Sequence, residues 1–301
     1  MPKRFLLALI IMAFSLAFLP KPIYAETATT NINLISFGPI DQFSKDNQTI
    51  GTVDWANGVI YAIGIGVPPE NATRSTQAGI MARKAATIDA YRNLAEVVNG
   101  VKVTAKTTVR NFAVENDVVQ TKVSGLVKGA RIIKEHQMPD GSYQVIMELH
   151  LYGDNGLAAA LQDKQPSEIL PFPSPSPAYA SPARLAPVYT GVIIDARGLG
   201  LDRVMSPRIY DEAGRVVYGN SYLDPDIVVR KGMVDYAATP EQVEDATTGH
   251  SRTGAYPLII KAIGLKDFNS NVVISQHDAD MLLAANAASG FLLKTAVVFE
   301  Q

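Results

Sequence analysis

The chain has 301 residues, with 27 Lys+Arg against 29 Asp+Glu, 47% hydrophobic residues and no cysteine. It is too apolar to be wholly disordered, too mixed to be a coiled coil, and long enough for two domains with separate cores. The missing cysteine excludes a disulfide framework, a thiolate metal site and a cysteine nucleophile, and the near-neutral balance speaks against a nucleic-acid partner.

In chain order, residues 1–25 read as an export signal. Lys3 and Arg4 precede the apolar run Phe5–Leu19, broken only by Ser15, and Pro20, Lys21 and Pro22 close it. Fifteen residues are short of the roughly 20 that cross a bilayer as a helix, and Ala25 stands where signal peptidase cuts. No cysteine follows to carry a lipid, and no later stretch is apolar enough to span a membrane. The expected product is an exported chain, periplasmic or peripheral to the outer membrane. Residues 26–52 form a polar leader with one short apolar patch.

Residues 53–160 predict an α+β domain. Asn57–Gly66 is β-branched and aromatic, a strand stopped by Pro68 and Pro69. Thr76–Val98 has helical periodicity, with Ile80/Met81, Ala85, Ile88, Tyr91, Leu94/Ala95 and Val98 on the apolar side and Asn93 on the polar side. Ala78, Ala82, Ala85 and Ala86 allow that helix to approach a sheet closely. Val101–Val109 alternates as a half-exposed strand, and Asn116–Lys128 is a weaker helix ended by Gly129. Arg131–Met138 and Tyr143–Leu151 form a hairpin around Pro139-Asp140-Gly141. Gln144, Glu148 and His150 share the face of its second strand that meets solvent or a partner.

The segments IYAIGIGVPP, QAGIMARKAATIDAYRNLAEVVNGVKV and ARIIKEHQMPDGSYQVIMELHLYG together resemble the twenty-kilodalton outer-membrane lipoprotein (LPP) family, and are similar to the N-terminal domain of flagellar assembly protein T. The resemblance covers residues 57–153, about a third of the chain. It implies a small α+β module in outer-membrane or flagellar structures, with no catalytic residues to carry over. The sequence departs from the family in lacking the lipid-bearing cysteine.

Residues 161–187 carry Pro166, Pro171, Pro173, Pro175, Pro177, Pro182 and Pro187, which favour an extended, semi-rigid linker. Residues 188–301 predict a second α+β domain. Its strands are Val188–Ala196, a hairpin of Ser206–Asp211 and Arg215–Tyr218, then Pro257–Leu265 and Asn271–Ile274. A helix capped by Ser275 follows, then a largely apolar strand, Phe291–Phe299, expected to be central in its sheet. Thr239–Gly254 reads as a long polar loop. The overall expectation is two small α+β domains, with helices on mainly antiparallel sheets.

Chemistry-bearing patterns are weak. Gly64-x-Gly66 sits where a dinucleotide loop would start, but Pro69 takes the place of the third glycine, and close helix–sheet packing explains the glycines better. Asp195, Asp202, Asp211, Asp224 and Asp226 offer oxygen ligands, yet Asp224-Pro225-Asp226 equally reads as a helix start. His136 and His150, on the two hairpin arms, lack a third zinc ligand. Arg197, Arg203, Arg208, Arg215, Arg230 and Lys231 give the start of the second domain a basic bias, accompanied by Tyr179, Tyr189, Tyr210, Tyr218, Tyr222 and Tyr236.

The sequence therefore points to a non-catalytic exported envelope protein, structural or assembly-related, without cofactor or metal. Its expected partners are envelope proteins or further copies of itself. Its candidate contact surface is Gln144, Glu148, His150, Arg197, Arg203 and Arg208. A module binding peptidoglycan or another envelope polymer is the second reading, and a metal-dependent hydrolase the third.

Overall fold

The computed structural model describes residues 50–71, 74–162, 168–177 and 188–301. The expected export signal, nearly all of the leader, Tyr179, and Pro166, Pro182 and Pro187 lie outside the described residues. In the first half, β1 (Gly51–Asp54), β2 (Val59–Gly66), β3 (Arg131–Gln137) and β4 (Tyr143–His150) form an antiparallel sheet in the order β1-β2-β4-β3. Helix α1 (Ser75–Gly100) lies across it, with α2 (Val109–Val114), α3 (Asp117–Lys128) and α4 (Leu157–Leu161) completing the layer.

The glycines of β2 set the distance between helix and sheet. A Cβ on Gly64 would stand 2.1 Å from the Ala86 carbonyl oxygen, and one on Gly66 would stand 2.0 Å from that of Ala82. Only hydrogen at these positions lets the backbone of α1 rest on the strand. The helix accordingly buries Ala82, Ala86, Ala90, Asn93, Leu94 and Val98. This corrects the face expected from periodicity: Ile80, Met81 and Ile88 are 54%, 45% and 70% exposed, whereas Asn93 is buried and donates to the Ile63 carbonyl at 2.7 Å. Close approach selects small side chains for the contact, so the large aliphatics turn outward.

Val101–Val109 also departs from expectation. It makes a single bridge, Lys102 to Thr108, around a turn in which the Thr104 hydroxyl accepts from the amides of Lys106 and Thr107. Thr108 then caps α2. Threonine hydroxyls competing for backbone donors break an otherwise strand-like alternation.

The second half holds two four-stranded sheets. In the first, β10 (Gly264–Lys266), β11 (Asn271–Ile274), β6 (Ile209–Asp211) and β7 (Val216–Tyr218) lie in that order; in the second the order is β8 (Asp235–Ala237), β12 (Val297–Glu300), β5 (Gly191–Asp195) and β9 (Pro257–Lys261). Every pairing in the second sheet is parallel. Its inner strands β5 and β12 are apolar on both faces because both are covered, whereas edge strand β9 leaves Ile259 exposed. Val192, Ile194, Val297 and Phe299 join the core shared with the other sheet and with α7 (Gln276–Ser289), while Ile193, Ala237 and Val298 pack on Ala246 of α6 (Pro240–Thr248). As expected, β12 is an inner strand, although it begins only at Val297.

Two further expectations change. The run PLIIKAIGL is divided between the sheets, because the Ala262 amide donates to Asp195 in one and the next amide, Ile263, to Val273 in the other. The expected polar loop 239–254 contains α6, opened by a capping box of Thr239 and Gln242 with Pro240 at the first position.

Residues 49–301 make one compact unit. Trp55 packs against both cores and meets Tyr236 edge-on at 5.7 Å, while Met205 and Val229 of the second half enter the core of the first. The described part of the proline-rich stretch is fixed to the second half rather than free as a spacer. Phe172 packs on Tyr218 and Tyr222, Leu170 donates to Ser221, and Arg215 donates to the Ser174 carbonyl. Arg215 also binds Asp211 and Asp280, each at 2.8 Å, and the Ser176 amide reaches Asp280. Burial works to raise the Asp280 carboxyl, but Arg215 and Ser176 outweigh it and hold it below the usual carboxylate range.

Two outcomes follow from these contacts. Gly64→Ala forces α1 off the sheet and is expected to cost about 3 kcal/mol, read as a lowered midpoint in denaturant. Arg215→Ala leaves two buried carboxylates uncompensated, at a cost of about 3 kcal/mol, and residues 168–177 become susceptible to limited proteolysis.

Candidate functional site

The two halves leave between them a cleft of about 950 Å³, lined by both. From the first half come the turn Val103–Lys106, Phe112 and the α4 residues Ala158 and Leu161; from the second come Met205, Ser206, Arg208 and Tyr210, then Asp224–Asp226, Asp267 and Asn271. Backbone pairing holds the two walls together. The amides of Met205 and Ser206 donate to the carbonyls of Lys102 and Val103, and the Gly153 amide donates to Val229. A salt bridge of 2.7 Å from Lys102 to Asp202 reinforces the seam.

The charges in the cleft are unequally engaged. Asp224 caps α5 (Pro225–Lys231) by accepting from the Asp226 amide, and Asp267 accepts from Asn271 at 2.7 Å. Among the described residues, no carboxylate lies within ion-pair distance of Lys106 or Arg208. The Arg208 guanidinium makes one weak contact, to the Tyr210 hydroxyl at 3.3 Å, and its amide is held by Asn271. Lys266 sits 4.8 Å from the centre of the Tyr210 ring.

At Asp267 the wall carries backbone strain. Asp267, Phe268 and Asn269 have φ of 51°, 54° and 59°, three consecutive non-glycine residues in the left-handed region. Such conformations cost about 1 kcal/mol each and concentrate where function keeps them. The turn is tied down by the Asn269 carbonyl, which accepts from Asp202, and it leaves Phe268 71% exposed.

Residues 61–150 match the family model LPP20 lipoprotein. Residues 191–299 match a second family model, Treponema pallidum Tp0624, second domain. No curated protein matches the chain. The first match covers β2 to β4 and supports the likeness to lipoprotein-type envelope proteins; the second runs from the first residue of β5 to within one residue of the end of β12. Neither model concerns flagellar assembly protein T. Two domains of α+β type, each with its own match, make up the fold. Among the described residues, no helix is long and apolar enough to cross a membrane.

Of the six residues expected at a contact surface, the structure brings Arg208 into the cleft and scatters the others. Gln144 and Glu148 are buried on the inner strand β4, where Glu148 accepts from Arg131 at 2.9 Å; His150 is exposed. His136 pairs with Gln144, six residues along β4 from His150, so the two histidines stand roughly 20 Å apart. Arg203 is bound to Gln301 at 2.6 Å.

Arg197 belongs to a closed cluster at the carboxyl ends of β5 and β12. It grips Asp195 with two bonds of 2.8 Å and lies 3.4 Å from Glu300. The carboxyl end of a parallel sheet is the usual ligand position in α/β folds, and here it is occupied by this triad. The Asp195 carboxyl is held below the usual range by its bonds to Arg197. That of Glu300, buried at 3% exposure, is raised by burial against the pull of Arg197. Asp211 is engaged by Arg215 and Asp202 by Lys102, and among the described residues no three acidic or histidine side chains gather where they could hold a metal. Lys106, Phe112 and Asp267 were not foreseen as site residues; each becomes one only where distant segments meet.

Because Glu300 is destabilised as an anion, its neutral form favours the fold. Glu300→Gln is expected to be more stable than the parent at neutral pH. The gain shrinks as pH falls through the raised pKa of Glu300 and vanishes below the ordinary glutamate value of 4.5, where both chains carry a neutral group. Paired thermal melts across pH 3–8 check this, and a gain that grows toward acid contradicts it.

Proposed function

We propose that this chain is a non-catalytic exported envelope protein, a structural or assembly component at the outer membrane or a flagellar structure, attached by contact rather than by a lipid. The observation that carries the reading is the outward row Ile80, Met81 and Ile88 on α1. In a soluble module large aliphatics on a regular helix usually face the core, and three of them left outside on the sheet-packed helix favour a surface that meets something else. The LPP20 match over residues 61–150 supports an envelope setting, and the sequence holds no cysteine for acylation. The partner is an envelope protein or a second copy of the chain.

The test combines fractionation with cross-linking in cells. The protein is expected to sediment with outer membranes and to be released by alkaline carbonate, as a peripheral protein is. A photoreactive side chain at position 88 is expected to give a discrete larger adduct, and one at Glu115, exposed on another surface, none. Recovery entirely in the freely soluble fraction, with no adduct from position 88, would sink the reading.

A second reading, a module that binds an envelope polymer, is favoured by one specific feature: Arg208 projects into the interdomain cleft without a carboxylate partner.

A further inference from the structure

We infer that the interdomain cleft is a binding site for a carboxylate-bearing saccharide, held by Arg208 and Lys106 through its acid group and by Asp224 and Asp267 through its hydroxyls. The inference deepens the polymer-binding reading by naming the site and the chemistry of its ligand.

Size comes first. About 950 Å³ lies within the ordinary range of ligand clefts and is large enough for a disaccharide or more. The walls come from both halves, so the second domain alone does not form the site.

The hydrogen-bonding inventory then restricts the ligand. Arg208 and Lys106 are donors only, exposed on the cleft wall and without a carboxylate partner among the described residues, so they favour a ligand that brings a negatively charged acceptor. Asp224 and Asp267 are acceptors only. Each gives one oxygen to a protein donor, Asp224 to the Asp226 amide at 2.9 Å and Asp267 to Asn271 at 2.7 Å. The second oxygen of each is left to accept from whatever enters, so the ligand must also bring donors.

Hydroxyl groups and a carboxylate on one scaffold satisfy both demands. A phosphate group does not. Its double charge would face Asp224, Asp226 and Asp267, which outnumber the two cations of the wall. A membrane surface, being flat, does not enter a cleft. Between the polar groups, Phe112 and Met205 offer apolar surface to the C–H faces of a sugar ring. The turn 267–269, which closes the hairpin of β10 and β11 with three left-handed residues, fixes Asp267 at this wall.

The experiment uses the mature chain, residues 26–301, and two probes. Calorimetric titration measures binding of the disaccharide N-acetylglucosaminyl-N-acetylmuramic acid, which carries one carboxylate, against neutral chitotetraose. Sedimentation with purified peptidoglycan sacculi measures polymer retention. The acidic disaccharide is expected to bind, more weakly as salt rises, and the neutral sugar at least tenfold more weakly. Arg208→Gln and Lys106→Gln are each expected to weaken the acidic ligand about tenfold, the scale of one charge-assisted hydrogen bond, with unchanged melting temperature. Should Arg208→Gln melt early, Lys106→Gln on its exposed turn decides the matter.

Retention on sacculi by the parent chain and its loss in the double variant support the site. Equal retention of both would overturn the cleft as the site while leaving polymer binding standing. No retention of either, with no heat from the disaccharide, would overturn both. Equal affinity for the neutral sugar would overturn the acidic character of the ligand.

Discussion

The structure depends on the seam between its halves. Tyr152, at the end of the antiparallel sheet, lies so close to Gly232 that a Cβ there would fall 2.6 Å from the ring, and Gly232 already has φ of 72°. Position 232 therefore admits glycine for two reasons, a left-handed backbone and the absence of space for a side chain. Around this contact Trp55 bridges the cores, and Arg252 donates to the carbonyls of Lys231, Gly232 and Thr295 while pairing with Asp235. The aromatic contact, the backbone bonds of Met205, Ser206 and Gly153 and the Lys102–Asp202 pair thus hold together two halves whose covalent link is proline-rich, while Arg252 braces the second half beside them. The cleft is the space these halves leave open.

Charge is handled differently at three places, and the difference separates support from function. Arg215 joins two buried carboxylates and ties the proline-rich stretch to the second half, so its charge serves the fold. Arg197 closes on Asp195 and Glu300 at the position where a parallel sheet would ordinarily admit a ligand. Arg208 and Lys106 do neither. Both are exposed on the wall of the cleft and, among the described residues, unpaired with any carboxylate, so their charge is left to solvent or to a group from outside.

Local order was readable where one physical signal dominates. The hairpin of β3 and β4 follows from alternation and the Pro-Asp-Gly turn, α3 from its Asn116 cap and Gly129 stop, and the Ser275 cap places α7. The glycines of β2 make the close helix–strand contact that their spacing predicts. Errors arose where two signals compete. In α1 the periodicity of large residues pointed to the wrong face for Ile80, Met81 and Ile88, because β2 has glycine at 64 and 66 and only the alanine face fits against it. In 101–109, strand-like alternation was overruled by threonine side chains that bond the backbone. The capping box that opens α6 was present in the sequence as TPEQ but was masked by the polarity of the residues after it.

By itself, the sequence determined the class of domains, their order and the small-residue contact of helix with strand, since these rest on neighbours a few residues apart or on composition. Tertiary structure alone decided which charges remain open. Lys106 and Arg208 are about a hundred residues apart, and nothing local distinguishes Arg208 from Arg197 or Arg203. Whether a guanidinium finds a carboxylate depends on what the fold carries to within 4 Å of it, a distance over which Coulomb attraction is strong and of which sequence spacing keeps no record. The parallel sheet was hidden for the same reason: β5, β8, β9 and β12 are separated by whole elements, and only the packed chain brings them side by side.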